Sequence, residues 1–451
     1  MSGSSDLPKS LPSQHSENFV AWFRSVAPYV NGFRGKTFVI GFGGKAISGP
    51  LAKTFAYDMN LLASLGVRLV LVHGARPQID EELHEKGIEP RYHGSFRITD
   101  APTLDCVIDA VGSVYLEIEA LLSQGLPNTP MAGSTIRVVG GNFITARPVG
   151  VVDGVDLQYT GAVRKIDGEG IRAQLGLGNI VLLSNIGASP TGEIFNLGME
   201  DVAEAVAVAV GADKLLYLTD SQGATDAEGK LLDELTADAA EQLMRVGDWL
   251  SPDLKRYLPC AVRASRRGVK RVHIIGYAED GALLQELFTH DGVGTVITRE
   301  SLDVLRGAKP DDIGGLLSII EPLENDGTLV PRPRELFERE IGRFSVIEHD
   351  GVIVGCAALY PFGNGMAELA CLAVSPDHRR WGYGERLMNH IEQQARVAGV
   401  SRLFVLTTRT SHWFLERGFS AASVDELPDE KRLMYNFQRR SKVMVKALDA
   451  A

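Results

Sequence analysis

Residues 367–388, AELACLAVSPDHRRWGYGERLM, decide the fold of the second half of this 451-residue chain. The stretch begins as an apolar strand, which Pro376 breaks. The pattern Arg379-x-x-Gly382-x-Gly384 follows and opens an amphipathic helix. Glycines let successive backbone N–H groups converge at the positive end of a helix, where anions bind. The stretch therefore predicts a pyrophosphate-binding loop, although an ordinary strand-to-helix turn would also fit it.

The residues around this loop predict a separate α+β domain. A helix comes first, closely spaced strands follow, and a second helix precedes the last strand. The expected helices are Ile313–Leu323 and Gly384–Ala398, and the expected strands are Phe344–Glu348, Val352–Tyr360, Met366–Val374 and Leu403–Thr408. At about 140 residues, this domain has an ordinary size.

Between Lys36 and Thr298, short β-rich runs alternate with helical patterns. The expected strands are Thr37–Phe42, Arg68–His73, Ile180–Ser184, Lys214–Thr219 and Arg271–Ile275, and the helices include Leu51–Leu65, Thr103–Leu122 and Asp201–Val210. Such alternation is typical of a mainly parallel sheet sandwiched by helices. We therefore expect an α/β domain ahead of the α+β domain.

The first residues predict a tail and one helix. Residues 1–16 are rich in Ser, Pro and Gly, which is typical of a disordered segment. From Glu17, apolar residues at helical spacing predict an amphipathic helix that ends at about Ala27, where Pro28 would stop it. Those apolar residues are Phe19, Trp22, Phe23 and Val26. The boundaries that we expect are a tail at 1–16, a first domain at 17–300, a linker at 301–307 and a second domain at 308–451.

Composition excludes several classes of function. Hydrophobic residues make up 45% and charged residues 23% of the chain, as in ordinary globular proteins. A net charge of −11 argues against binding to nucleic acid, and no apolar run approaches the roughly 20 residues of a membrane helix. We therefore expect a cytoplasmic protein with no nucleic-acid or membrane partner. The four cysteines lie far apart without metal-ligand spacing, so neither a disulfide framework nor a metal site is predicted.

The order of strand, glycine loop, helix and strand, followed by HWFLERGF at 412–419, resembles the GNAT acetyltransferase superfamily over residues 308–447. The flanking sequences narrow the resemblance to the family of bacterial-type N-acetylglutamate synthases. They are GTLVPRPRE (327–335), AALYPF (357–362), AELACLAV (367–374), LFVLTTR (403–409) and YNFQRRSKV (435–443). The resemblance implies transfer of the acetyl group of acetyl-CoA to L-glutamate, the first step of arginine synthesis.

A general base is the first requirement of that reaction, because an ammonium group has no lone pair until a base removes a proton. Glu368 matches the family's catalytic carboxylate, although the polar face of a half-buried strand would also explain it. Thr407 matches a hydroxyl residue that orients the acceptor or relays a proton. Phe414 is a departure, since many GNAT enzymes have there a tyrosine that protonates the leaving thiolate.

The remaining site residues follow from the same resemblance. The residues expected to bind acetyl-CoA are Cys371, Leu372, Val374, Arg379, Arg380, Gly382, Tyr383 and Gly384. Those expected to bind glutamate are Val330, Arg332, Cys371, Thr407 and Arg439. Guanidinium groups suit the two carboxylates of glutamate through bidentate hydrogen bonds, with Arg440 as the alternative to Arg439. Cys371 is expected to act through its main chain rather than as a nucleophile.

Residues 36–300 resemble the amino acid kinase family, and acetylglutamate kinase above all. The matching segments are RGKTFVIGFGGKAI (34–47), VLVHGARPQI (70–79), RITD (97–100), GGNFITA (140–146), ADKLLYLTD (212–220) and ELFTHDGVGTVI (286–297). Gly41 stands where the kinase has a lysine that balances phosphoryl charge, and Cys260 stands where it has a second. The kinase segments at 72–76 and 196–200 are altered as well. We therefore predict a domain without kinase activity, and Lys45 is a partial objection.

A fold that has lost its chemistry suggests regulation. Arginine-sensitive acetylglutamate kinases bind arginine between an N-terminal helix and the last lobe, and the matching residues are Tyr29, Lys214, Glu286, Phe288 and Gly294. A helix cap and turn would also explain the last three. The resemblance further implies a homo-oligomer, a hexamer. The alternatives are a bifunctional synthase and kinase, a non-catalytic arginine sensor, and a GNAT enzyme that acts on another amine such as a protein lysine or an antibiotic.

Overall fold

The computed structural model describes residues 20, 22–49, 51–289, 292–378 and 382–448. It forms two compact units that divide between Glu300 and Ser301. The tail expected at 1–16 lies outside the described residues. Within those ranges, no helix is both long and apolar enough to cross a membrane.

The first unit is built on an eight-stranded sheet with the order β14-β16-β15-β13-β1-β2-β10-β5. All of its neighbouring strands run parallel except the antiparallel pair β15 and β16. A smaller sheet has the order β12-β11-β6-β9. The strands are β1 Thr37–Phe42, β2 Arg68–His73, β3 Tyr92–His93, β4 Phe96–Arg97, β5 Val138–Val139, β6 Ile144–Pro148, β7 Val151–Val152, β8 Val155–Asp156, β9 Gly161–Ile166, β10 Ile180–Ser184, β11 Ile186–Ala188, β12 Ile194–Asn196, β13 Lys214–Thr219, β14 Glu234–Thr236, β15 Arg271–Gly276 and β16 Thr295–Thr298.

Helices cover both faces of the large sheet, as the apolar sequences of its strands require. Successive residues of a strand point to opposite faces, so Val39 packs into one core while Phe38 and Ile40 pack into the other. The helices are α1 Ala27–Phe33, α2 Leu51–Ser64, α3 Arg76–Glu85, α4 Ala101–Leu122, α5 Gly168–Gly176, α6 Met199–Val210, α7 Ala237–Val246, α8 Leu254–Arg266 and α9 Ala282–Phe288. The prediction of a mainly parallel sheet between helices is confirmed.

The N-terminal helix differs from its prediction. Residues 22–25 are helical, but Pro28 lies in the first turn of α1 instead of ending a helix. Proline is tolerated there because the first N–H groups of a helix have no partner within the helix. Trp22 and Phe23, expected on an apolar face, are 55% and 64% exposed, and Phe19 lies outside the described residues.

The second unit has a seven-stranded sheet with the order β17-β18-β19-β20-β21-β23-β22. Its strands are β17 Asp303–Gly307, β18 Phe344–His349, β19 Val352–Pro361, β20 Met366–Val374, β21 Arg402–Thr407, β22 Ser420–Ala422 and β23 Lys442–Ala447. Its helices are α10 Ile313–Asn325, α11 Arg334–Glu340, α12 Tyr383–Val397, α13 Ser411–Leu415 and α14 Asp429–Leu433. The neighbours β20 and β21 run parallel, and the other neighbours run antiparallel.

The linker expected at 301–307 is largely a strand. Asp303–Gly307 forms β17 and pairs with β18, so this segment belongs to the second unit. Leu305 packs against the core of that unit, and this burial explains why the segment is ordered as part of the sheet. These seven residues have no clear periodicity, so an edge strand could not be distinguished from a linker by sequence alone.

Two irregularities shape the middle of the second sheet. The parallel pairing of β20 with β21 covers the register from Met366 to Glu368, and the strands then part. On the other side of β20, Cys371 and Leu372 together oppose the single residue Ala357, which is a β-bulge. Cys371 has a φ of 51°, in the left-handed region, so the chain turns sharply there. The sheet therefore opens just beyond Glu368.

Candidate active site

Glu368 lies where the sheet begins to open, and its side chain is 8% exposed. It faces Tyr360 across the ladder between β19 and β20. The Nζ atom of Lys431 lies 2.6 Å from Oε2 of Glu368, so the carboxylate forms a nearly buried ion pair. Lys431 belongs to the short helix α14, and the sequence analysis missed it because nothing in the DEKRL pattern distinguishes this lysine from a surface residue. The carboxylate is thus positioned by an aromatic neighbour and a cation.

Arg332 points toward the same place. Its Nη1 atom donates a hydrogen bond to the hydroxyl of Tyr360 at 3.1 Å. Burial lowers the pKa of Arg332, but the nearby groups raise it overall, with Cys371 the largest contributor and Glu368 among them. The proximity of these groups places the guanidinium beside the catalytic candidate. The structure therefore brings together Glu368, Cys371 and Arg332, as the sequence predicts.

Cys371 has a buried side chain. Burial raises the pKa of its thiol to about 11, so the thiol stays protonated near neutral pH. A thiol rather than a thiolate is a poor nucleophile. The bulge and the positive φ of Cys371 instead turn its backbone out of the regular ladder. This geometry fits the expectation that Cys371 acts through its main chain.

The other residues predicted to bind glutamate are less closely gathered. The Nη2 atom of Arg439 donates to the carbonyl oxygens of Gly327 at 3.2 Å and Thr328 at 2.5 Å, just before Val330, which is 52% exposed. Arg440 is exposed. Arg439 is therefore held beside the segment that leads to Arg332, whereas its neighbour is not.

Thr407 ends strand β21 and caps the turn that follows. Its hydroxyl lies 2.8 Å from the hydroxyl of Thr410 and accepts the backbone N–H of Thr410 at 3.0 Å. These contacts hold Thr407 in place at the side of the opening formed by β21. Among the described residues, no hydrogen bond joins Thr407 to Glu368.

The loop predicted to bind pyrophosphate is described on both sides of residues 379–381. Gly382 has a φ of 74° and caps the start of α12. An added Cβ at Gly384 would lie 3.4 Å from the ring of Trp413, in ordinary van der Waals contact. Arg379 and Arg380 lie outside the described residues. Leu372 and Val374, both half-buried, lie at the end of strand β20, just before this loop.

Tyr383 was expected to contact the cofactor, but its side chain points into the protein. Its ring is 1% exposed, and its hydroxyl donates to Oδ1 of Asp303 at 2.6 Å. The apolar ring at the first position of an amphipathic helix belongs to the core, which explains this orientation. Tyr383 is left with its backbone N–H as the group that can face an anion.

Phe414 is buried against the rings of Trp413 and Phe419, with centroid distances of 5.0 and 5.3 Å. A phenyl ring in this apolar cluster has no proton to give. The departure from the usual tyrosine therefore has a structural counterpart, because the position is used for packing.

The first unit contains a cavity of about 930 Å³ where its fold would hold the substrates of a kinase. Lys45, which lines the cavity, is paired with Asp220 at 3.0 Å. Its ammonium group is therefore already paired with a carboxylate of the same unit. The partial objection from Lys45 loses force on this geometry.

A second ion cluster also lines the cavity. Asp201, Glu204 and Cys260 place one ligand atom each within 4.8 Å of the others, a spacing that could hold a metal ion. Arg263 lies among them, with Nη2 2.8 Å from Asp201 and 2.5 Å from Glu204. A guanidinium thus occupies the position of the cation. The pairing also removes Arg263 as a free phosphate ligand.

The residues predicted to bind arginine form one connected cluster. Lys214 Nζ lies 3.1 Å from Nε2 of His273, whose Nδ1 lies 2.6 Å from Oε1 of Glu286. The backbone N–H groups of Val293 and Gly294 donate to the other oxygen of Glu286 at 2.8 and 2.9 Å. His273 is the member of this cluster that the sequence analysis missed.

The protonation states of this cluster follow from its burial. Burial and then the charge of Arg271 lower the pKa of Lys214 to about 7. Burial alone would raise the pKa of Glu286, but the hydrogen bond from His273 and those from the backbone lower it to about 2. Glu286 is therefore a carboxylate next to an amine that loses its charge near neutral pH.

Aromatic residues join this cluster to the N-terminal helix. The ring of Phe33 lies 6.2 Å from that of Tyr29 and 5.5 Å from that of Phe288. Lys214 Nζ lies over the same ring at 5.3 Å. Contacts that run through Phe33 and His273 thus link all five residues predicted for the arginine site.

Two family models match the chain. Residues 36–276 match the amino acid kinase family, and residues 316–419 match the acetyltransferase (GNAT) family. The fold and the site together define an N-acetyltransferase.

Curated relatives and a solved structure match nearly the whole chain. It is 52% identical to the amino-acid acetyltransferase of Ralstonia nicotianae, over 98% of each chain. It is 53% identical to that of Azotobacter vinelandii, over 96% of this chain and 100% of the relative. The crystal structure of N-acetylglutamate synthase from Neisseria gonorrhoeae, complexed with coenzyme A and L-arginine, has a TM-score of 0.85 at 43% identity and covers 95% of this chain and 99% of its own. The chain belongs to the amino-acid acetyltransferase family, which confirms the resemblance.

Proposed function

We propose that this protein transfers the acetyl group of acetyl-CoA to the α-amino group of L-glutamate. The observation that carries the proposal is the meeting of Glu368, Tyr360 and Arg332 at the opening between β20 and β21. A base and a carboxylate-binding cation are the two groups that an amino-acid acceptor requires. The Neisseria gonorrhoeae enzyme has also been solved with coenzyme A and N-acetyl-glutamate, at 43% identity and a TM-score of 0.62.

The reaction begins when Glu368 takes a proton from the ammonium group of glutamate, directly or through water. The amine nitrogen then attacks the carbonyl carbon of the thioester, and an oxyanion forms. Backbone N–H groups around the bulge at Cys371 are suited to stabilise that charge. When the oxyanion collapses, the carbon–sulfur bond breaks and the nitrogen gives up its second proton to water or to the departing thiolate, since Phe414 leaves no tyrosine to donate one.

Lys431 adds a step that the sequence did not predict. Its Nζ atom lies 2.6 Å from Oε2 of Glu368, so its ammonium group already balances the charge of the carboxylate. The ammonium group of glutamate must therefore compete with Lys431 for the same carboxylate. Binding of the acceptor therefore includes displacement of Lys431 from Glu368.

The loop at 379–384 and the start of α12 are the proposed site for the pyrophosphate of acetyl-CoA. Arg379, Arg380 and the N–H groups that follow Gly382 are the groups we assign to it. On the acceptor side, Arg332 and Arg439 are assigned to the carboxylates of glutamate, with Thr407 orienting the amino group.

A thiol-release assay tests the proposal. With acetyl-CoA and a panel of amino acids, we expect glutamate to be the preferred acceptor. Efficient acetylation of another amine, with glutamate inert, would replace glutamate as the substrate. Absence of thiol release with every amine would favour a binding protein over an enzyme.

We also propose that the first unit regulates the second through arginine. The cluster of Lys214, His273 and Glu286, capped by Phe33 and Phe288, supports this because it offers a carboxylate and aromatic rings to a guanidinium. We further propose that the first domain ends near residue 300 and that the protein is a homo-hexamer whose N-terminal helices interlace. Deletion of residues 1–30 is expected to reduce both the arginine response and the sedimentation coefficient.

A further inference from the structure

Asp303, in the first strand of the second unit, joins three elements around the glycine loop. Its Oδ1 atom accepts hydrogen bonds from Nδ1 of His349 at 2.7 Å and from the hydroxyl of Tyr383 at 2.6 Å. Its Oδ2 atom accepts a hydrogen bond from Nη1 of Arg386 at 2.5 Å. Strand β17, strand β18 and the first turn of α12 therefore meet on one carboxylate, whose side chain is 13% exposed.

The same cluster reaches the other end of the loop. The ring of His378, the last residue described before the loop, stacks on Tyr383 with an interplanar angle of 22° and a centroid distance of 6.1 Å. It also lies 5.9 Å from the ring of His349. The residues on the two sides of the loop are thus fixed with respect to each other through Tyr383, which Asp303 holds in place.

The charge of Asp303 does not change in the working range of pH. Burial alone would raise its pKa, but hydrogen bonds from His349, Tyr383 and Arg386 lower it to about 2. Asp303 also occupies one hydrogen-bonding edge of Arg386, a cation in the first turn of α12 that could otherwise reach for phosphate. The carboxylate is a permanent anchor rather than a switch.

We propose that Asp303 is a positioning residue for the donor substrate: it fixes the first turn of α12 relative to His378, so that the backbone N–H groups of that turn can bind the pyrophosphate of a CoA thioester. Asp303 itself touches no reacting atom. The inference rests on the proposed function, because it assumes that this loop binds coenzyme A. It also gives the segment expected to be a linker a role in binding, since the chain enters the second unit at Ser301, two residues before Asp303.

The test compares Asp303→Asn with Asp312→Asn in the full-length protein. Asp312 accepts two hydrogen bonds from Arg306 of strand β17, at 2.6 and 2.8 Å, but forms no hydrogen bond or ion pair with the described residues that flank the loop. We expect Asp303→Asn to raise the Kd for coenzyme A and the KM for acetyl-CoA by about tenfold, the scale of one charge-assisted hydrogen bond. The KM for glutamate should move far less. Asp312→Asn should leave both donor constants within about twofold.

Two further measurements keep the outcome decisive. Thermal unfolding reports whether the two Asn variants lose similar stability, and Tyr383→Phe removes one hydrogen bond while keeping the ring. Tyr383→Phe should shift the KM for acetyl-CoA in the same direction by a smaller factor. If the Asp303 variant binds coenzyme A as the unchanged protein does, or more tightly because Arg386 is released, the inference is wrong. If the unchanged protein itself fails to bind coenzyme A, the proposed function fails instead.

Discussion

The two units of this protein differ in the partners of three basic residues, Lys45 and Arg263 in the first and Arg332 in the second. In the cavity of the first unit, Lys45 is paired with Asp220, and Arg263 lies between Asp201 and Glu204. In the second unit, Arg332 donates to the neutral hydroxyl of Tyr360. A cation that already has a carboxylate gains little from a new anion, whereas one bound to a hydroxyl gains a full ion pair. A preserved fold and a large cavity are therefore weaker signs of activity than a charge that is still available.

The strongest test of this contrast is the substitution Glu368→Gln. The base is lost while its size is kept, so we expect kcat to fall by roughly 10²–10⁴-fold, the usual contribution of a positioned general base. Glu392→Gln is the matched control, because Glu392 is also buried and paired with a lysine, Lys446, at 2.5 Å. The measurement is thiol release at saturating substrates, with coenzyme A affinity as the folding check. Turnover within about threefold of the unchanged enzyme would remove Glu368 from the mechanism.

Glu286→Gln tests whether the first unit senses arginine through its buried cluster or through its cavity. Coupling between two sites is typically about 1–3 kcal/mol, so arginine should alter substrate affinity by about 5–150-fold in the unchanged protein. We expect the Glu286 variant to lose this response, because the carboxylate that reads a guanidinium is gone. Glu204→Gln, in the cavity, should keep it. The opposite pattern would move the effector site into the cavity.

Arg332→Lys measures how much the available guanidinium contributes to acceptor binding. Lysine keeps the charge but cannot form two parallel hydrogen bonds to a carboxylate. We therefore expect the KM for glutamate to rise about tenfold with a smaller change for acetyl-CoA. Arg334→Lys is the control, since Arg334 is exposed and pairs with Glu338 on the surface. An effect on acetyl-CoA alone would contradict the assignment of the acceptor pocket.

The smallest expected effect concerns pH and belongs to the first unit. His73 is fully buried, and burial lowers its pKa from 6.5 to about 4, against a smaller opposing effect of the backbone of Gly74. The unfolded chain therefore binds a proton at higher pH than the folded one does. The free energy of unfolding should fall as pH drops from 6.5 towards 4, by up to about 1.4 kcal/mol per pH unit for this group.

His73→Leu should make that pH dependence shallower, which urea denaturation between pH 4.5 and 7 would measure. A second buried imidazole, His273, has a pKa of about 4 for the same reason, so part of the slope should remain. Identical slopes for the two proteins would mean that His73 binds protons equally well in the folded and the unfolded state.

The local sequence pattern predicted the strands that are buried on both faces. The strands Thr37–Phe42, Lys214–Thr219 and Met366–Val374 have the predicted bounds, because continuous apolar runs between turn residues leave few alternatives. The prediction failed where a residue has two uses. Pro28 can end a helix or begin one, and the order of elements along the chain decides which.

Long-range pairing limited the prediction of the site. Resemblance to a family identified Glu368, Arg332 and Cys371, which the structure brings together. Lys431, His273 and Asp303 were not predicted, because each is defined by a partner distant in sequence that only the folded chain brings within hydrogen-bond reach. A charged residue in a short polar segment carries no local sign of such a partner.

The parting of β20 and β21 has a geometric consequence. The seven-stranded sheet consists of a four-stranded plate and a three-stranded plate, joined along a seam whose register spans the three pairs from Met366 to Glu368. The two plates share backbone hydrogen bonds only along these three pairs, of which Glu368 is the last. Its carboxylate therefore lies at the inner end of the gap between the plates, on the part of the sheet that is still joined.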